Sequence, residues 1–495
     1  MGAMLEKAYD LVWGVPALVL ILGVGLYLSI RTGFAQLQLF PKACRAFWRR
    51  LTGKEQNTDG VSPFQALCTA LAATVGTGNL AGVAGAIAIG GPGAIFWMWV
   101  CAILGMVTKL AEAALSVRYR VSDAGERLGG PMYIISRGMG KRWAWLGGVY
   151  SFFGVVAAFG VGNATQINAV ITGVDDCITA FGGTVSRQGD LVLGVVLAVI
   201  ILFLLLGGAG RIGAVAEKLV PFAAAAYLLL GSFVLLLRID AIPAAFSSII
   251  QGAFSPRAAT GGMIGSLMTT LRTGVSRGVF TNEAGMGTAG IAHGSANVKH
   301  PIDQGLMGIM EVFLDTIVIC TMTALVILCS GVGVPYGTDV GVSLTTDAFS
   351  AVLGDWVKVF IALALCLFAF ATVLGWGLYG ARCAQYLFGR NVWKKFAWLQ
   401  AATVVIAAVL NTGTVWLIAE TVNGLMAIPN LIALAVLSPE LSRLILDYKQ
   451  KSGHWAGGGT LCKYPSTQTA ASPLPCGNST PSRWRQKNRA KRYTT

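Results

Sequence analysis

Charge is what this sequence has least of. Asp, Glu, Lys and Arg make up 12% of the 495 residues, where soluble globular proteins carry roughly 25%. Hydrophobic residues make up 55%, which leaves no room for a large soluble domain. Histidine is also scarce, with three in the whole chain. The ten cysteines include no CxxC pair and no His/Cys spacing suited to zinc. Cys68, Cys101, Cys320, Cys329 and Cys366 fall inside apolar runs and read as small hydrophobes. No HExxH and no recognisable Ser/His pair is present, so enzyme chemistry has no anchor. A nucleotide-binding loop is missing too, which argues against ATP drive. The net charge of +15 is not gathered into one basic face of the kind nucleic acid needs.

What is present is a series of long apolar runs. A bilayer core about 30 Å thick takes about 20 apolar residues per helical span. Eleven such runs are expected, near 11–30, 63–90, 92–117, 143–172, 190–209, 211–237, 243–274, 302–330, 356–387, 395–411 and 414–437. The first reads as a retained span, since it is too long for a signal sequence and lacks an A-x-A site. Basic residues fall in alternate loops: Arg31, Lys42, Arg45, Arg49, Arg50 and Lys54 in one, Arg118, Arg120, Arg127, Arg137, Lys141 and Arg142 in the next. The loops 174–189 and 331–355 are acidic, with Asp175, Asp176, Asp339, Asp347 and Asp355. The positive-inside rule then puts the N-terminus outside and the C-terminus in the cytoplasm. From 449 to 495 the chain is rich in Gly, Pro, Ser and Thr and ends in a basic cluster; a disordered cytoplasmic tail is expected, its basic end either touching anionic membrane lipid or simply solvated without a function.

Segment 62–99 carries the strongest functional signal. A helix beginning at Pro63 meets Thr74, Val75, Gly76, Thr77, Gly78 and Asn79, then resumes to Gly90. Glycines and polar residues in mid-span weaken a helix there. Backbone groups freed in the bilayer are tolerated only where protein, water or ligand satisfies them. The N–H groups of the resumed half suit a carboxylate, and the carbonyls of the first half suit a sodium ion. Close helix packing through Gly78 and Gly82 is the competing explanation. A second interruption is expected within 246–265, around Pro256, Gly261 and Gly262, where a re-entrant or surface helix is the alternative. Intramembrane acids cost about 2.5–3.5 kcal/mol each on insertion scales and are functional candidates. Glu311 and Asp315 share a helix face as a cation or proton site, or as an interior hydrogen-bonded pair. Glu112 beside Lys109 reads as an ion pair or gate, and Asn282 with Glu283 as a gate or cap in an inside loop.

At these residues the chain resembles the alanine or glycine:cation symporter family, the sodium:alanine symporters of the amino acid–polyamine–organocation superfamily. The resemblance rests on Phe64-Gln-Ala-Leu67, Val75-Gly-Thr-Gly-Asn-Leu-Ala-Gly82, Gly90-Gly-Pro-Gly-Ala-Ile-Phe-Trp-Met-Trp99 and Gly129-Gly-Pro-Met-Tyr133. It continues in Ser276-Arg-Gly-Val-Phe-Thr-Asn-Glu-Ala-Gly-Met-Gly287 and Phe370-Ala-Thr-Val-Leu-Gly-Trp376, and spans roughly residues 10–445. It implies an all-α, leucine-transporter-type fold of two five-helix inverted repeats with one extra N-terminal helix. The expected division is 1–60 for the extra helix and basic loop, 61–240 and 241–448 for the repeats, and 449–495 for the tail. It further implies sodium-driven uptake of a small neutral amino acid, alanine or glycine, across a bacterial inner membrane, with sodium as coupling ion and no other cofactor. Proton coupling remains the alternative, and a passive channel would need a charged ring or filter repeat that is not visible. By the same resemblance Gly76, Thr77, Gly78 and Asn79 line the substrate carboxylate, Gln166 reaches the substrate, and Trp376 closes the side-chain pocket, with Phe254 assisting. Sodium is assigned to Thr74, Val75 and Thr372, and Asp315 is a further ion ligand.

Overall fold

A computed structural model describes residues 12–53, 60–123, 125–180, 182–255, 266–338, 340–409 and 413–454. The chain divides into two units, Met1–Lys449 and Gln450–Thr495. The expected tail lies outside the described residues beyond His454.

The first unit is helical. Helix α1 (Val15–Arg31) turns by 82° at Gly33 and Phe34, both with positive φ, into α2 (Ala35–Leu51). Helix α3 (Pro63–Thr74) starts on Ser62, whose hydroxyl accepts the Gln65 N–H at 3.0 Å, and on Pro63, whose fixed φ suits a first helical position. It stops at Val75, and α4 (Gly78–Gly90) leaves at 56° to it. Then follow α5 (Ala94–Tyr119), a hairpin of β1 (Val121–Asp123) and β2 (Glu126–Leu128), α6 (Lys141–Thr179), α7 (Arg187–Leu206) and α8 (Gly208–Leu237). The second half runs α9 (Ile242–Phe254), α10 (Leu267–Asn282), α11 (Thr288–Gly294), α12 (Pro301–Cys329), α13 (Ser343–Leu353), α14 (Val357–Phe388), α15 (Val392–Val409), α16 (Gly413–Val436) and α17 (Ser438–His454). Among the described residues seven helices are long and apolar enough to cross a membrane, or up to ten if each of three bent pairs is one span.

The expected span 243–274 is not one helix. Helix α9 ends at Phe254 and α10 begins at Leu267. At 13 residues α9 is too short to span alone, and its Phe246, Ile250 and Phe254 are exposed. It is fixed to the start of α5, where a β-carbon on Gly93 would overlap the Gly252 backbone and Trp97 Nε1 donates to the Ala253 carbonyl at 3.2 Å. The second broken helix is instead α10–α11, interrupted at Glu283–Gly287. Glu283, Gly285 and Gly287 have φ of 52°, 97° and 81°, a region open to glycine and costly for other residues. Residues 256–265, where the interruption was expected, lie outside the described residues.

Each broken helix heads a series of five: α3–α4 with α5, α6, α7 and α8, and α10–α11 with α12, α14, α15 and α16. Small residues let the helices approach closely. A β-carbon on Gly308 of α12 would sit 2.7 Å from the Lys109 carbonyl of α5, and one on Gly105 would sit 2.9 Å from Ala284.

Candidate functional site

The two breaks, α6, α14 and α16 enclose a small cavity of ≈ 20 Å³, as swept by the centre of a water-sized sphere. The first break contributes Ala73, Thr74, Gly76, Thr77 and Gly78; α6 contributes Val161 and Gln166. Phe280 and Glu283 come from the second break, Thr372 and Trp376 from α14, and Asn423 from α16. The approach is close enough that a β-carbon on Gly76 would stand 2.7 Å from Thr372 Oγ1 and 3.7 Å from Gln166 Oε1. Thr77 Oγ1 donates to Gln166 Oε1 at 3.4 Å, and Gln166 Nε2 donates to the Val161 carbonyl at 3.2 Å. That carbonyl lies in a π-helical turn, Gly160–Ala164. Within this turn a β-carbon on Gly162 would overlap Trp376, so glycine there seats the indole. Trp376 is 1% exposed and its Nε1 donates to Glu283 Oε1 at 3.1 Å.

Asn79 and Asp315 stand behind the first break. The Asn79 carboxamide oxygen accepts the Gly76 N–H at 2.9 Å, so that amide is already engaged. Its Nδ2 donates to Asp315 Oδ1 at 2.7 Å, and Thr316 Oγ1 donates to Asp315 Oδ2 at 2.8 Å. Asn282 Nδ2 in turn donates to Thr316 Oγ1 at 3.1 Å, which ties the two breaks to α12. Val75 is buried between Thr74 and Gly76. The Thr74 hydroxyl donates to the Ala70 carbonyl at 3.3 Å, and that of Thr372 to the Phe368 carbonyl at 3.0 Å. Both oxygens keep lone pairs for a cation.

Phe254 stands apart from this group. It is 58% exposed and packs on Phe96 and Trp97, with ring centroids 5.2 and 6.1 Å away. The aromatic residue that the second broken helix gives the cavity is Phe280.

A buried charge network supports the second break. Lys109 Nζ lies 2.7 Å from Glu311 Oε1, and His293 Nε2 lies 2.9 Å from Glu311 Oε2. Glu112 does not pair with Lys109 directly. Its Oε1 accepts the N–H groups of Gly285 and Gly287 at 2.9 and 3.1 Å and Asn430 Nδ2 at 2.8 Å. Glu311 and Asp315 are therefore not one site: Glu311 belongs to Lys109 and His293, Asp315 to Asn79 and Thr316. Asn282 and Glu283, expected as a gate or cap in an inside loop, are both buried at the break. Sequence reading missed Glu283, Phe280 and Asn423 as cavity residues. The left-handed glycines that follow Glu283 were the available signal. Among the described residues no group of three or more His, Cys, Asp or Glu is arranged to hold a metal ion; oxygen atoms of hydroxyls, carbonyls and Asp315 are what the region offers a hard cation.

The sodium:alanine symporter family model matches residues 1–456. The chain belongs to that family of transporters. It is 43% identical over 447 residues to the sodium/alanine symporter AgcS of Methanococcus maripaludis, covering 88% of this chain and 94% of that protein. It is 37% identical over 444 residues to the amino-acid carrier protein AlsT of Bacillus subtilis, covering 89% and 91%. Among solved structures, MhsT in complex with L-phenylalanine superposes with a TM-score of 0.54 at 14% identity, covering 79% of this chain and 99% of that one. That likeness shows the fold alone, which is all-helical and leucine-transporter-type. Membership of the family makes the chain a multi-pass membrane transporter that carries amino acid with a cation.

Proposed function

We propose that this family member is a secondary active symporter that couples inward sodium flux to uptake of alanine or glycine by alternating access. The observation that carries this reading is a charge imbalance around the two breaks. Four carboxyl groups are buried there, Glu112, Glu283, Glu311 and Asp315, against the ammonium of Lys109 and the imidazole of His293 among the described residues. Buried charge is costly unless it is compensated. A site built this way favours cations, and a sodium ion with a zwitterionic amino acid would supply them. The substrate carboxylate falls to the first-turn N–H groups of α4 at Thr77 and Gly78, which a helix start leaves unpaired. Gln166 reaches the substrate and Trp376 closes its side-chain end. Sodium is assigned to Thr74, Thr372 and the Val75 backbone, with Asp315, oriented by Asn79, as a further ion ligand. The support for the sodium position is the closeness of Thr372 to the first break.

The protein resides in a bacterial inner membrane with its N-terminus outside and C-terminus in the cytoplasm, surrounded by lipid. A proton in place of sodium is the second reading. It draws on Asp315, whose described partners are the neutral Asn79 and Thr316. Uptake of labelled alanine into proteoliposomes, with sodium, potassium and pH gradients imposed separately, separates the two. A potential of 100 mV contributes about 2.3 kcal/mol per charge, so one sodium per substrate gives roughly 40- to 50-fold accumulation. Accumulation that needs a pH gradient and ignores sodium would replace sodium by protons; no concentrative uptake at all would end the symport reading.

A further inference from the structure

Of the four buried carboxylates, Glu283 is the one that lines the cavity. Its described partners are neutral: Trp376 Nε1–H at 3.1 Å on one oxygen and the Thr288 hydroxyl at 2.6 Å on the other. A carboxylate has about four lone-pair sites, so accepting capacity remains on both oxygens. The buried ammonium of this region, Lys109, is bonded to Glu311 at 2.7 Å. The same cavity is lined by Asn423, which is 3% exposed and whose Oδ1 has no hydrogen-bond partner among the described residues. A buried acceptor without a donor is rare in folded proteins and calls for an explanation. Two acceptors, one of them charged, therefore meet at a cavity whose other polar groups include the N–H groups at the start of α4. Donors come from one helix break and acceptors from the other break and α16.

We infer that Glu283 and Asn423 hold the α-ammonium of the substrate, with Trp376 and Thr288 fixing the carboxylate that does so. This assignment rests on the amino-acid symport reading and deepens it, because it makes the ammonium a requirement. A ligand with the same carboxylate and methyl group but a hydroxyl in place of the ammonium is rejected. It leaves Glu283 without its cation and brings a second negative charge beside it. Trp376 is thereby given a second task, since the indole that bounds the side-chain pocket also orients the group that binds the amine.

The test uses the full-length protein in detergent at saturating sodium, with ligand affinity read from the rise in unfolding temperature on separate titrations with alanine, glycine and lactate. Wild type is expected to bind alanine and to discriminate strongly against lactate. Glu283→Gln should weaken alanine at least tenfold without weakening lactate, so the alanine-to-lactate ratio falls at least tenfold. Asn423→Leu leaves Glu283 in place and should lower the same ratio several-fold; it carries the test alone if Glu283→Gln does not fold. A purely structural role for Glu283 would shift both ligands together, and an unchanged ratio in a folded variant overturns the assignment. A wild-type protein that binds neither alanine nor glycine would remove the symport reading and this assignment with it. Alanine binding in wild type with an unchanged ratio in the variants would remove the assignment alone.

Discussion

Replacing Trp376 by alanine is the perturbation that asks most of the proposed site. The contacts that hold the indole include the Nε1–H bond to Glu283 at 3.1 Å, the close approach of Gly162, and an edge contact with Tyr379 at a centroid distance of 5.8 Å. Truncating a buried Trp costs about 3–5 kcal/mol of stability where the space stays empty. Here the space adjoins an existing polar cavity, so water or a larger ligand can enter it and the loss should fall toward the lower end. Specificity should change in a definite direction. Leucine carries three more carbons than alanine, and each buried methylene is worth about 0.8 kcal/mol. A pocket opened by loss of the ring can thus gain about 2.4 kcal/mol for leucine over alanine, a swing of roughly 50-fold in relative affinity. Alanine itself should bind more weakly, because it no longer fills the space. The assay is competition of labelled alanine uptake by a panel from glycine to leucine, alongside Trp376→Phe, which keeps much of the bulk but loses the N–H and part of the ring system. Trp376→Ala should admit valine and leucine, and Trp376→Phe should keep the wild-type size order. A folded Trp376→Ala protein with an unchanged size profile would refute the reasoning and make Trp376 a packing residue.

Thr372→Ala removes the hydroxyl that faces Gly76; uptake should then need at least severalfold more sodium with normal membrane insertion, and unchanged sodium dependence in flux assays would remove Thr372 from the ion site. Lys109→Met leaves Glu311 buried with His293 and no ammonium; it should destabilise the protein by about 3–5 kcal/mol, and Lys109→Met with Glu311→Gln should recover part of that loss in thermal unfolding, failing which the pair is not coupled. For topology, a single cysteine at Arg45, which is exposed on α2, should react with an impermeant reagent only from the cytoplasmic side; labelling in intact cells would invert the proposed orientation.

The sequence by itself determined a many-helix membrane protein and located its first break. Both follow from local composition. Apolar runs of span length need no partner to be recognised, and two glycines with Thr and Asn in mid-span weaken a helix wherever it packs. The motifs around Gly76–Gly78, Gln166 and Trp376 pointed to residues that the fold does gather at one cavity, while Asn79 stands behind it. Tertiary structure decided the rest. Ser276–Gly287 is polar and Gly-rich and reads as a loop, while the more apolar 246–254 reads as membrane. The fold puts the second break in the former because Glu112 and Asn430, 173 and 145 residues away from Gly285 on either side, hold the amides and carbonyl of Gly285 and Gly287. A break at that position is stable only when those distant groups arrive, and no window of sequence contains them. The same limit moved the aromatic cavity residue from Phe254 to Phe280. It also divided Glu311 from Asp315: four residues apart on one helix, they bond to Lys109 and Asn79 on different helices, and those partners set what each carboxylate can do.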